Sequence, residues 1–367
     1  MNVPKIRFNG FNEEWQETKL CDIAKITMGQ SPNSENYTND SNDTLLIQGN
    51  ADLNNGKVIP RLFTKQITKT CDRNDIIMTV RAPVGDIAIS EYNACIGRGV
   101  CSIKSSKFVY HYLDYLKMKD YWKKISKGST IDSITSDDIK SLLIKTPNKK
   151  EEEKIIKTVD LINKKIELQS KKIEDLKLFK KGLIHQMKKS NNNWSEYKIS
   201  EIFKITRGVV IPKTDLLDNK TTEYQYPVYS SQTSNNGILG YDTKFDFDGK
   251  YLTWTTDGAN AGKVFYRNGK FRCTNVCGVL YNDNNKYVDE LTAELLNYET
   301  PKHVSYVGNP KLMNNVMGDI KIFLPDSNES DRVSNILLII NNKVLLETDK
   351  LNKLNKLKKG LMQKMFV

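Results

Sequence analysis

Apolar residues recur with a seven-residue period in two stretches of the chain. In residues 147–189 the apolar positions alternate steps of four and three, while Lys and Glu fill most other positions. This spacing predicts a long helix with a coiled-coil seam. Residues 325–367 repeat the seam 178 positions later, which predicts a second helix. The residues predicted to pair the helices are Ile155, Ile162, Ile166, Ile173, Leu176, Leu183, Val333, Ile340, Val344, Leu351, Leu354 and Leu361.

Polar residues interrupt both seams at matching places. Gln169 and Lys180 interrupt the first seam, and Glu347 and Lys358 take the same places in the second. If the helices pair antiparallel within one chain, Gln169 and Glu347 lie at different heights and each needs a lysine or a water molecule as partner. A parallel pair between two chains stays open as an alternative, because a seam does not identify its partner.

A second repeat indicates that the whole chain is a duplication. The segment that begins at Trp15 returns at Trp194, and eight of fifteen aligned positions are identical. Each half therefore carries a globular unit followed by a long helix.

Both globular units are predicted to mix strands and helices. The predicted strands are residues 44–48, 75–81 and 86–90 in the first unit and residues 251–256, 263–267 and 276–281 in the second. Helical patterns occur at residues 109–125 and 288–298. The fold class is therefore α+β: two mixed α/β domains separated by two long antiparallel helices that form an intramolecular coiled coil, with a pseudo-twofold duplication. The predicted boundaries are residues 1–146 and 191–324 for the globular domains, and residues 147–190 and 325–367 for the helices.

Turns and cysteines complete the structural expectations. Asn54-Asn55-Gly56, Asn235-Asn236-Gly237 and Asn268-Gly269 are predicted hairpin turns, because Asn and Gly tolerate a positive φ. The cysteines lie in apolar or strand-like runs, which predicts reduced, buried thiols at Cys21, Cys71, Cys95, Cys101, Cys273 and Cys277.

The charge balance indicates a polyanionic partner. The chain of 367 residues has a formal net charge of +12 and a pI near 9.1, and its mean hydropathy is -0.53. The N-terminus has no apolar segment typical of a secretion signal, and no apolar run is long enough to cross a bilayer. We therefore expect a cytoplasmic protein without membrane contact.

Catalytic motifs are missing from the sequence. It contains no dinucleotide-binding or P-loop glycine pattern, no HExxH motif and no motif of the amino-methyltransferases. We expect no catalytic residue and no metal site, although four cysteines at positions 95, 101, 273 and 277 leave a metal site as a weak alternative.

Several phrases of the sequence resemble a known family. They include IIMTVRAPVGDIAI at residues 76–89, CIGRGV at residues 95–100, YPVYSSQTSNNGILGY at residues 226–241 and GANAGKVFYRNGKF at residues 258–271. Together with the duplicated order of unit and helix, they resemble the specificity subunit of type I restriction-modification enzymes over the whole chain. One departure is VGNPKLMNNVMGDI at residues 307–320, which replaces the GST-led phrase found at residues 128–130.

The resemblance implies a function and partners. The two globular units would be target recognition domains, each reading one half of a bipartite, asymmetric site in double-stranded DNA. The helices would space them and dock two methyltransferase subunits, and restriction and translocase subunits would join through these. The chain itself would bind no cofactor, because the methyltransferase subunits bind S-adenosylmethionine and the restriction subunits bind ATP and Mg. The alternatives are a self-contained methyltransferase or nuclease and, more weakly, a helical adaptor without DNA contact.

Residue type and position identify candidate DNA contacts. Arginine can bind guanine O6 and N7 together, Asn and Gln can bind adenine N6 and N7, and Lys, Ser and Thr suit phosphate. Each candidate also fits an ordinary surface or turn position. The candidates are Gln48, Arg61, Arg81, Arg98, Lys127, Ser129, Thr130, Arg207, Gln232, Asn235, Asn236, Asn260, Lys263, Arg267 and Arg272.

Overall fold

A computed structural model describes residues 3–126, 133–189 and 194–367 of the chain. Its contacts divide the chain into two compact units. Unit 1 comprises Met1–Ser170 and Asp349–Val367, and unit 2 comprises Lys171–Thr348. Each unit therefore contains one globular part and a portion of both long helices.

The globular part of unit 1 is built from short strands and four short helices. The strands are β1 (Gln16–Lys19), β2 (Lys25–Met28), β3 (Tyr37–Thr38), β4 (Thr44–Ile47), β5 (Leu53–Asn54), β6 (Lys57–Val58), β7 (Phe63–Thr64), β8 (Thr70–Cys71), β9 (Ile76–Thr79), β10 (Ile87–Ile89), β11 (Ala94–Ile96), β12 (Val100–Lys104) and β13 (Leu143–Thr146). The helices are α1 (Leu20–Ile23), α2 (Lys107–Met118), α3 (Tyr121–Ser126) and α4 (Ser136–Lys140).

The strands of unit 1 form two main sheets. One has the order β2-β12-β9-β10-β6-β5 and the other the order β3-β7-β4-β11-β8, while β1 pairs with β13. All four residues of β9 are buried, as expected for a central strand covered on both faces. Helix α2 packs its apolar side, including Phe108 and Leu113, into the same core.

Helix α5 (Lys149–Lys189) connects the two globular parts, and helix α9 (Ser327–Met365) lies near the C-terminus. The strands of unit 2 are β14 (Ser195–Lys198), β15 (Lys204–Arg207), β16 (Tyr226–Tyr229), β17 (Ile238–Asp242), β18 (Phe247–Thr255), β19 (Val264–Cys273), β20 (Cys277–Tyr281) and β21 (Lys321–Leu324). Its short helices are α6 (Ile199–Ile202), α7 (Glu290–Glu299) and α8 (Asn314–Asp319). The main sheet has the order β15-β20-β18-β19-β16-β17, and β14 pairs with β21.

All six predicted strand segments form strands, which confirms the mixed α and β interpretation. The helical pattern at residues 109–125 forms two helices rather than one, because Asp120 takes a left-handed conformation with φ 53° between α2 and α3. The turns at residues 54–56 and 235–237 are confirmed by positive φ values. The predicted turn at Asn268-Gly269 is wrong: it lies inside β19, where Gly269 faces Gly249 of β18. The long β18–β19 pair instead turns at residues 256–262.

The long helices pair antiparallel within each unit. In unit 1, Ile155 near the start of α5 shares a core with Met362 and Met365 near the end of α9. In unit 2, Leu183 near the end of α5 packs with the core that holds Val333 near the start of α9. Every residue predicted to pair the helices is buried or half-buried. The intramolecular antiparallel coiled coil is therefore confirmed.

Ion pairs accommodate three of the polar interruptions of the seam. Glu347 is almost fully buried and accepts a hydrogen bond from Lys172 Nζ at 2.9 Å. Lys180 binds Glu294 of α7 at 2.7 Å in unit 2, and Lys358 binds Asp114 of α2 at 2.8 Å in unit 1. The two seam lysines therefore attach a long helix to a helix of the globular part in each unit.

A buried ion pair fixes the start of α5. Arg7 donates to both carboxylate oxygens of Glu151, at 2.7 and 2.8 Å, and Trp15 Nε1–H donates to the same carboxylate at 3.2 Å. Glu151 is 1% exposed. Its equivalent in the second helix, Glu329, is exposed in the first turn of α9. The repeated sequence position therefore has different roles in the two units.

Five of the cysteines are buried and all six are free, but Cys21 is exposed, so the prediction of a buried thiol is wrong there. Cys21 lies in the one-turn helix α1, whose buried residue is Leu20. Among the residues described, no helix is long and apolar enough to span a membrane.

Candidate nucleic-acid interface

A four-residue turn in unit 1 presents Arg98 to solvent. The turn runs from Gly97 to Val100 and is closed by a hydrogen bond of 3.1 Å from Val100 N–H to the Gly97 carbonyl. Gly97 N–H donates to the Ile47 carbonyl at 2.8 Å, and Gly29 N–H donates to the Val100 carbonyl at 3.0 Å. The backbone of the turn is therefore held from two sides, and the Arg98 side chain is exposed.

The backbone packs too closely around this turn for side chains at certain positions. A Cβ atom at Gly29 would lie 2.1 Å from the Gly97 carbonyl oxygen, and a Cβ at Gly99 would lie 2.2 Å from the Gln48 carbonyl oxygen. Both obstacles are backbone atoms, which cannot rotate away. Glycine is required at these positions so that three chain segments can meet at one edge of the sheets.

Three of the candidate contacts in unit 1 meet at this edge. Val80 N–H donates to the Gly99 carbonyl at 2.9 Å, which places the next residue, Arg81, beside the Arg98 turn. Gln48 belongs to the segment under the turn, and its Nε2 atom is buried without a partner among the described residues. We define the segments 29–31, 47–49, 80–82 and 97–99 as the unit 1 edge.

Asp52 connects Arg61 to the unit 1 edge and offsets its charge. The carboxylate accepts backbone hydrogen bonds from Gln48 at 2.8 Å and Gly49 at 3.1 Å. Arg61 Nε–H donates to its other oxygen at 3.0 Å. Arg81 and Arg98 form no ion pair with the described residues, so their charges are available to an anionic ligand.

The same turn recurs in unit 2. Cys277 N–H donates to the Thr274 carbonyl at 3.0 Å, Thr274 N–H to the Tyr229 carbonyl at 2.9 Å and Gly208 N–H to the Cys277 carbonyl at 3.1 Å. A Cβ atom at Gly208 would lie 2.0 Å from the carbonyl oxygen of Cys273. The residue in the place of Arg98 is Asn275, whose side chain is exposed.

The loop beside each turn is also the same. Thr79 Oγ1–H donates to the Pro83 carbonyl at 2.7 Å, and Gly85 N–H donates to the Thr79 carbonyl at 2.9 Å. In unit 2, Thr255 Oγ1–H donates to the Asn260 carbonyl, and Gly262 N–H donates to the Thr255 carbonyl at 2.8 Å. These bonds align Thr79 with Thr255, and hence Arg81 with Asp257, two residues further along.

Isolated β-bridges at matching positions support the alignment of Arg81 with Asp257. Residues 81 and 133 form an isolated β-bridge in unit 1, and Asp257 and Lys311 form the corresponding bridge in unit 2. Lys311 also pairs with Ser305, and the segment between them exposes Tyr306 and Val307. Residues 307–320, where the sequence departs from the phrase at residues 128–130, therefore begin beside the edge of unit 2 that corresponds to the unit 1 edge. We define the segments 208–210, 229–231, 256–258 and 274–276 as the unit 2 edge.

The candidate contacts of unit 2 are spread over several places. Arg207 immediately precedes the edge and forms no ion pair with described residues. Gln232 donates to the Ile238 carbonyl, and Asn235 lies in the left-handed turn at residues 235–237. The Asn260 carbonyl closes the loop of the edge, while Lys263 lies over the Phe265 ring. The structure therefore does not bring these residues together as it does those of unit 1.

Two arginines of unit 2 are occupied within the protein. Arg272 binds Asp242 at 2.6 Å and Asp246 at 2.9 Å. Although burial opposes the shift, the hydrogen bonds from Arg272 and from two backbone N–H groups lower the pKa of Asp242. Arg267 is buried between Tyr229 and Phe265, with its guanidinium carbon 3.6 and 4.4 Å from the two ring centroids. Burial lowers the pKa of Arg267.

The guanidinium of Arg267 stabilises the left-handed turn. One of its NH2 groups donates to the Asn236 carbonyl at 2.9 Å, and Nε–H donates to Thr253 Oγ1 at 3.2 Å. This geometry makes Arg267 a support for the turn at residues 235–237. Lys127, Ser129 and Thr130 lie outside the described residues. The DNA contacts of all candidate residues stay predictions.

Several edge residues were missed by sequence reasoning. They are Ser31, whose hydroxyl accepts from Arg98 N–H at 3.1 Å, and Ser230, Asp257 and Asn275, together with Lys311, which pairs with the unit 2 edge. Insertions between the repeats change the offset, so counting along the chain does not align them. The shared glycines at 29 and 208 were the one usable signal. Among the described residues, no group of three or more His, Cys, Asp and Glu side chains could hold a metal ion.

Known proteins share this duplicated arrangement. The sequence matches the type I restriction modification DNA specificity domain twice, at residues 12–178 and at residues 191–356. The chain belongs to the type I restriction-modification specificity family. It is a DNA sequence-recognition subunit.

Individual specificity subunits match large parts of the chain. A Mycoplasma pneumoniae protein described as type I specificity subunit S.MpnORF365P is 33% identical over 222 residues, covering 59% of this chain and 81% of that protein. The specificity subunit of type I restriction enzyme MpnII from the same organism is 39% identical over 149 residues, covering 40% and 44%. The crystal structure of the type I restriction-modification S subunit from M. genitalium has the same fold, with a TM-score of 0.72 at 18% identity over 100% of this chain and 99% of that one.

Proposed function

We propose that this specificity subunit recognises an asymmetric, bipartite DNA site, with each edge reading one half. The observation that carries the proposal is the pair of edges: the same backbone hydrogen bonds hold both, yet their exposed side chains differ. A shared framework presents each edge to DNA in the same way. Different side chains on that framework then select different bases.

Exchange of one globular part tests whether each unit recognises one half of a bipartite DNA site. We expect that replacing residues 194–324 by the corresponding part of a relative changes one half of the methylated site and leaves the other half unchanged. The measurement is methylome sequencing of cells that carry the complete system. The reciprocal exchange of residues 15–146 is the control and should change only the opposite half. A site in which both halves change, or neither changes, would contradict the proposal.

We propose that each unit also docks one methyltransferase subunit on its helical portion. Unit 1 exposes Leu161 and Leu168 on α5, together with Leu357 on α9. Unit 2 exposes Ile339 and Leu346 on α9, together with Phe179 on α5. Each of these side chains is more than half exposed, and the two sets correspond one to one at the repeat offset of 178.

Two equivalent apolar patches suit two copies of one partner. Apolar side chains exposed on a helix otherwise leave an unfavourable contact with water, which docking removes. Because the repeat duplicates the patches, a partner that binds one has the same contacts available at the other. Restriction and translocase subunits would then join through the methyltransferase subunits.

Lysine substitutions in the patches test the docking. We expect Leu168→Lys or Leu346→Lys to reduce the bound methyltransferase from two copies to one, and the double variant to bind none, as measured by light scattering of the purified complex. Ile67→Lys is the matched control, because Ile67 is an exposed apolar residue outside the long helices. Two bound copies in the double variant would exclude this docking surface.

We propose that the chain itself is not catalytic and binds no cofactor. The exposed groups at the edges are guanidinium, amide and carboxylate groups held for binding, and the methyltransferase subunits would supply S-adenosylmethionine. The purified chain with labelled S-adenosylmethionine and DNA should transfer no methyl group, whereas the complex should. Methyl transfer by the chain alone would favour the alternative of a self-contained DNA-modifying enzyme.

A further inference from the structure

We propose that Asn275 reads a base in the half-site of unit 2, at the position that Arg98 reads in the half-site of unit 1. This inference rests on the proposed recognition of a bipartite site and names the residue that makes the two halves differ. Both residues are the second of a four-residue turn, Gly97 to Val100 in unit 1 and Thr274 to Cys277 in unit 2. Their exposed side chains therefore leave equivalent points of the framework.

The equivalence of the two positions does not depend on one hydrogen bond. Three backbone hydrogen bonds recur: the one that closes the turn, the one that the first residue of the turn donates, and the one that Gly29 or Gly208 donates to the last residue of the turn. Their lengths agree within 0.1 Å between the two units. The adjoining segments agree as well: Ile134 N–H donates to Val80 and Leu312 N–H donates to Thr256, each at 2.9 Å. Arg98 and Asn275 thus extend from the same scaffold.

The charge pattern of the edges favours base contact over phosphate contact. The DNA backbone is the same in both half-sites, so a residue that clamps phosphate should stay basic in both units. Arg98 is replaced by the neutral Asn275, and Arg81 is replaced by the acidic Asp257. Positions that change charge in this way suit readout of base edges, which differ between the half-sites.

Asn275 also carries a free amide group at the unit 2 edge, among the residues that the structure describes. Gln232 donates to the Ile238 carbonyl, and the turn that holds Asn235 and Asn236 is fixed by Arg267. The Asn275 side chain forms no hydrogen bond with any described residue. Its amide carbonyl can therefore accept from adenine N6–H and its NH2 group can donate to adenine N7, whereas a guanidinium donates to guanine O6 and N7. We infer that Asn275 binds an adenine and that Arg98 binds a guanine.

A single substitution tests this assignment. The complete complex with its methyltransferase subunits would be given labelled S-adenosylmethionine and a pool of DNA sites in which one half-site is randomised. We expect Asn275→Arg to change the preferred base at one position of the unit 2 half-site from adenine to guanine, by roughly 10- to 100-fold in relative rate. Arg98→Asn should make the reverse change in the unit 1 half-site.

Asn284→Arg is the matched control, because Asn284 is exposed beyond the far end of β20 and gains the same charge. If Asn275→Arg does not assemble, Asn275→Asp replaces it and should weaken the preference for adenine. Unchanged base preference in the assembled variant, or the same shift in the control, would overturn the assignment of Asn275. If instead the unmodified complex methylates no bipartite site, the proposed function fails, whatever the variants do.

Discussion

The edges of units 1 and 2 have the same backbone but different surface chemistry. In unit 1, Arg81 and Arg98 lie on neighbouring segments and form no ion pair with the residues that the structure describes. In unit 2 their places are taken by Asp257 and Asn275, and the nearby Arg272 is paired with two aspartates. The comparison shows that backbone hydrogen bonds and glycine fix where the exposed side chains of each edge stand, and leave the identity of these side chains free to differ.

The shared framework is tested first, because it has the largest expected effect. Gly29→Ala and Gly208→Ala would each drive a Cβ atom into a backbone carbonyl at about 2 Å, so we expect each to destabilise its unit by about 3 kcal/mol or more. The measurement is urea unfolding followed by tryptophan fluorescence.

Helical glycines supply controls for this experiment in each unit. Gly360 in unit 1 and Gly182 in unit 2 have open space where a Cβ would be placed. Alanine at either position should stabilise the helix by up to about 1 kcal/mol. Equal effects at edge and helix glycines would show that the close backbone approach at the edges is not needed.

The starts of the two long helices offer a second comparison. Glu151→Ala leaves Arg7 buried without its carboxylate, so we expect a loss of about 3 kcal/mol in the free energy of unfolding. Glu329→Ala, at the repeated position, should cost less than about 0.5 kcal/mol because Glu329 is exposed. Urea unfolding of both variants measures the difference. Similar losses would mean that the buried ion pair contributes no more than an ordinary helix residue.

The two units are expected to respond to pH in opposite directions. Burial lowers the pKa of His111 in unit 1 to about 4, although Asp160 at 3.0 Å opposes the shift. Because the folded unit favours the neutral imidazole, this contribution to stability is present above pH 6.5 and is lost as the pH falls through 4. Burial raises the pKa of Glu290 in unit 2 to about 7. That contribution is present below pH 4.5 and is lost as the pH rises through 7.

Unfolding at a series of pH values tests these opposite signs. Each contribution should be on the order of 3 kcal/mol. His111→Gln should flatten the acid side for unit 1, and Glu290→Gln should flatten the neutral side for unit 2. Lys180 and Glu294 also face Glu290 and remain in that variant. An unchanged pH profile in either variant would remove that residue as the cause.

The smallest effect on stability is expected from lengthening both long helices together. Insertion of one heptad after Ser170 and one after Thr348, where the two units divide, keeps the phase of the seam. Each helix gains about 10 Å at ~1.5 Å per residue. If the helices set the spacing of the half-sites, the spacer should lengthen by about three base pairs at ~3.4 Å each.

Methylome sequencing measures the spacer length between the half-sites in the insertion variants. A heptad in only one helix is the control, because it shifts the pairing of the seam and should lower stability without giving a new defined spacer. An active double insertion with an unchanged spacer would show that the helices do not act as the ruler.

The sequence by itself determined the features that arise from local periodicity. A heptad seam is visible in one dimension because a helix returns the same side to its partner about every seven residues. The same holds for the duplication and the strand segments, whereas a seam alone does not identify its partner helix. All twelve predicted pairing residues, from Ile155 to Leu361, are buried or half-buried for this reason.

Only the tertiary structure decided which candidate groups are free to bind. Whether an arginine is available depends on residues distant in the chain: Asp242 lies 30 positions from Arg272, and Thr274 supports Asn275 through Tyr229. Insertions of different length between the repeats hide the equivalence of Arg98 and Asn275 from any constant offset. Backbone hydrogen bonds reveal it, because they depend on which segments meet in space and not on how many residues separate them.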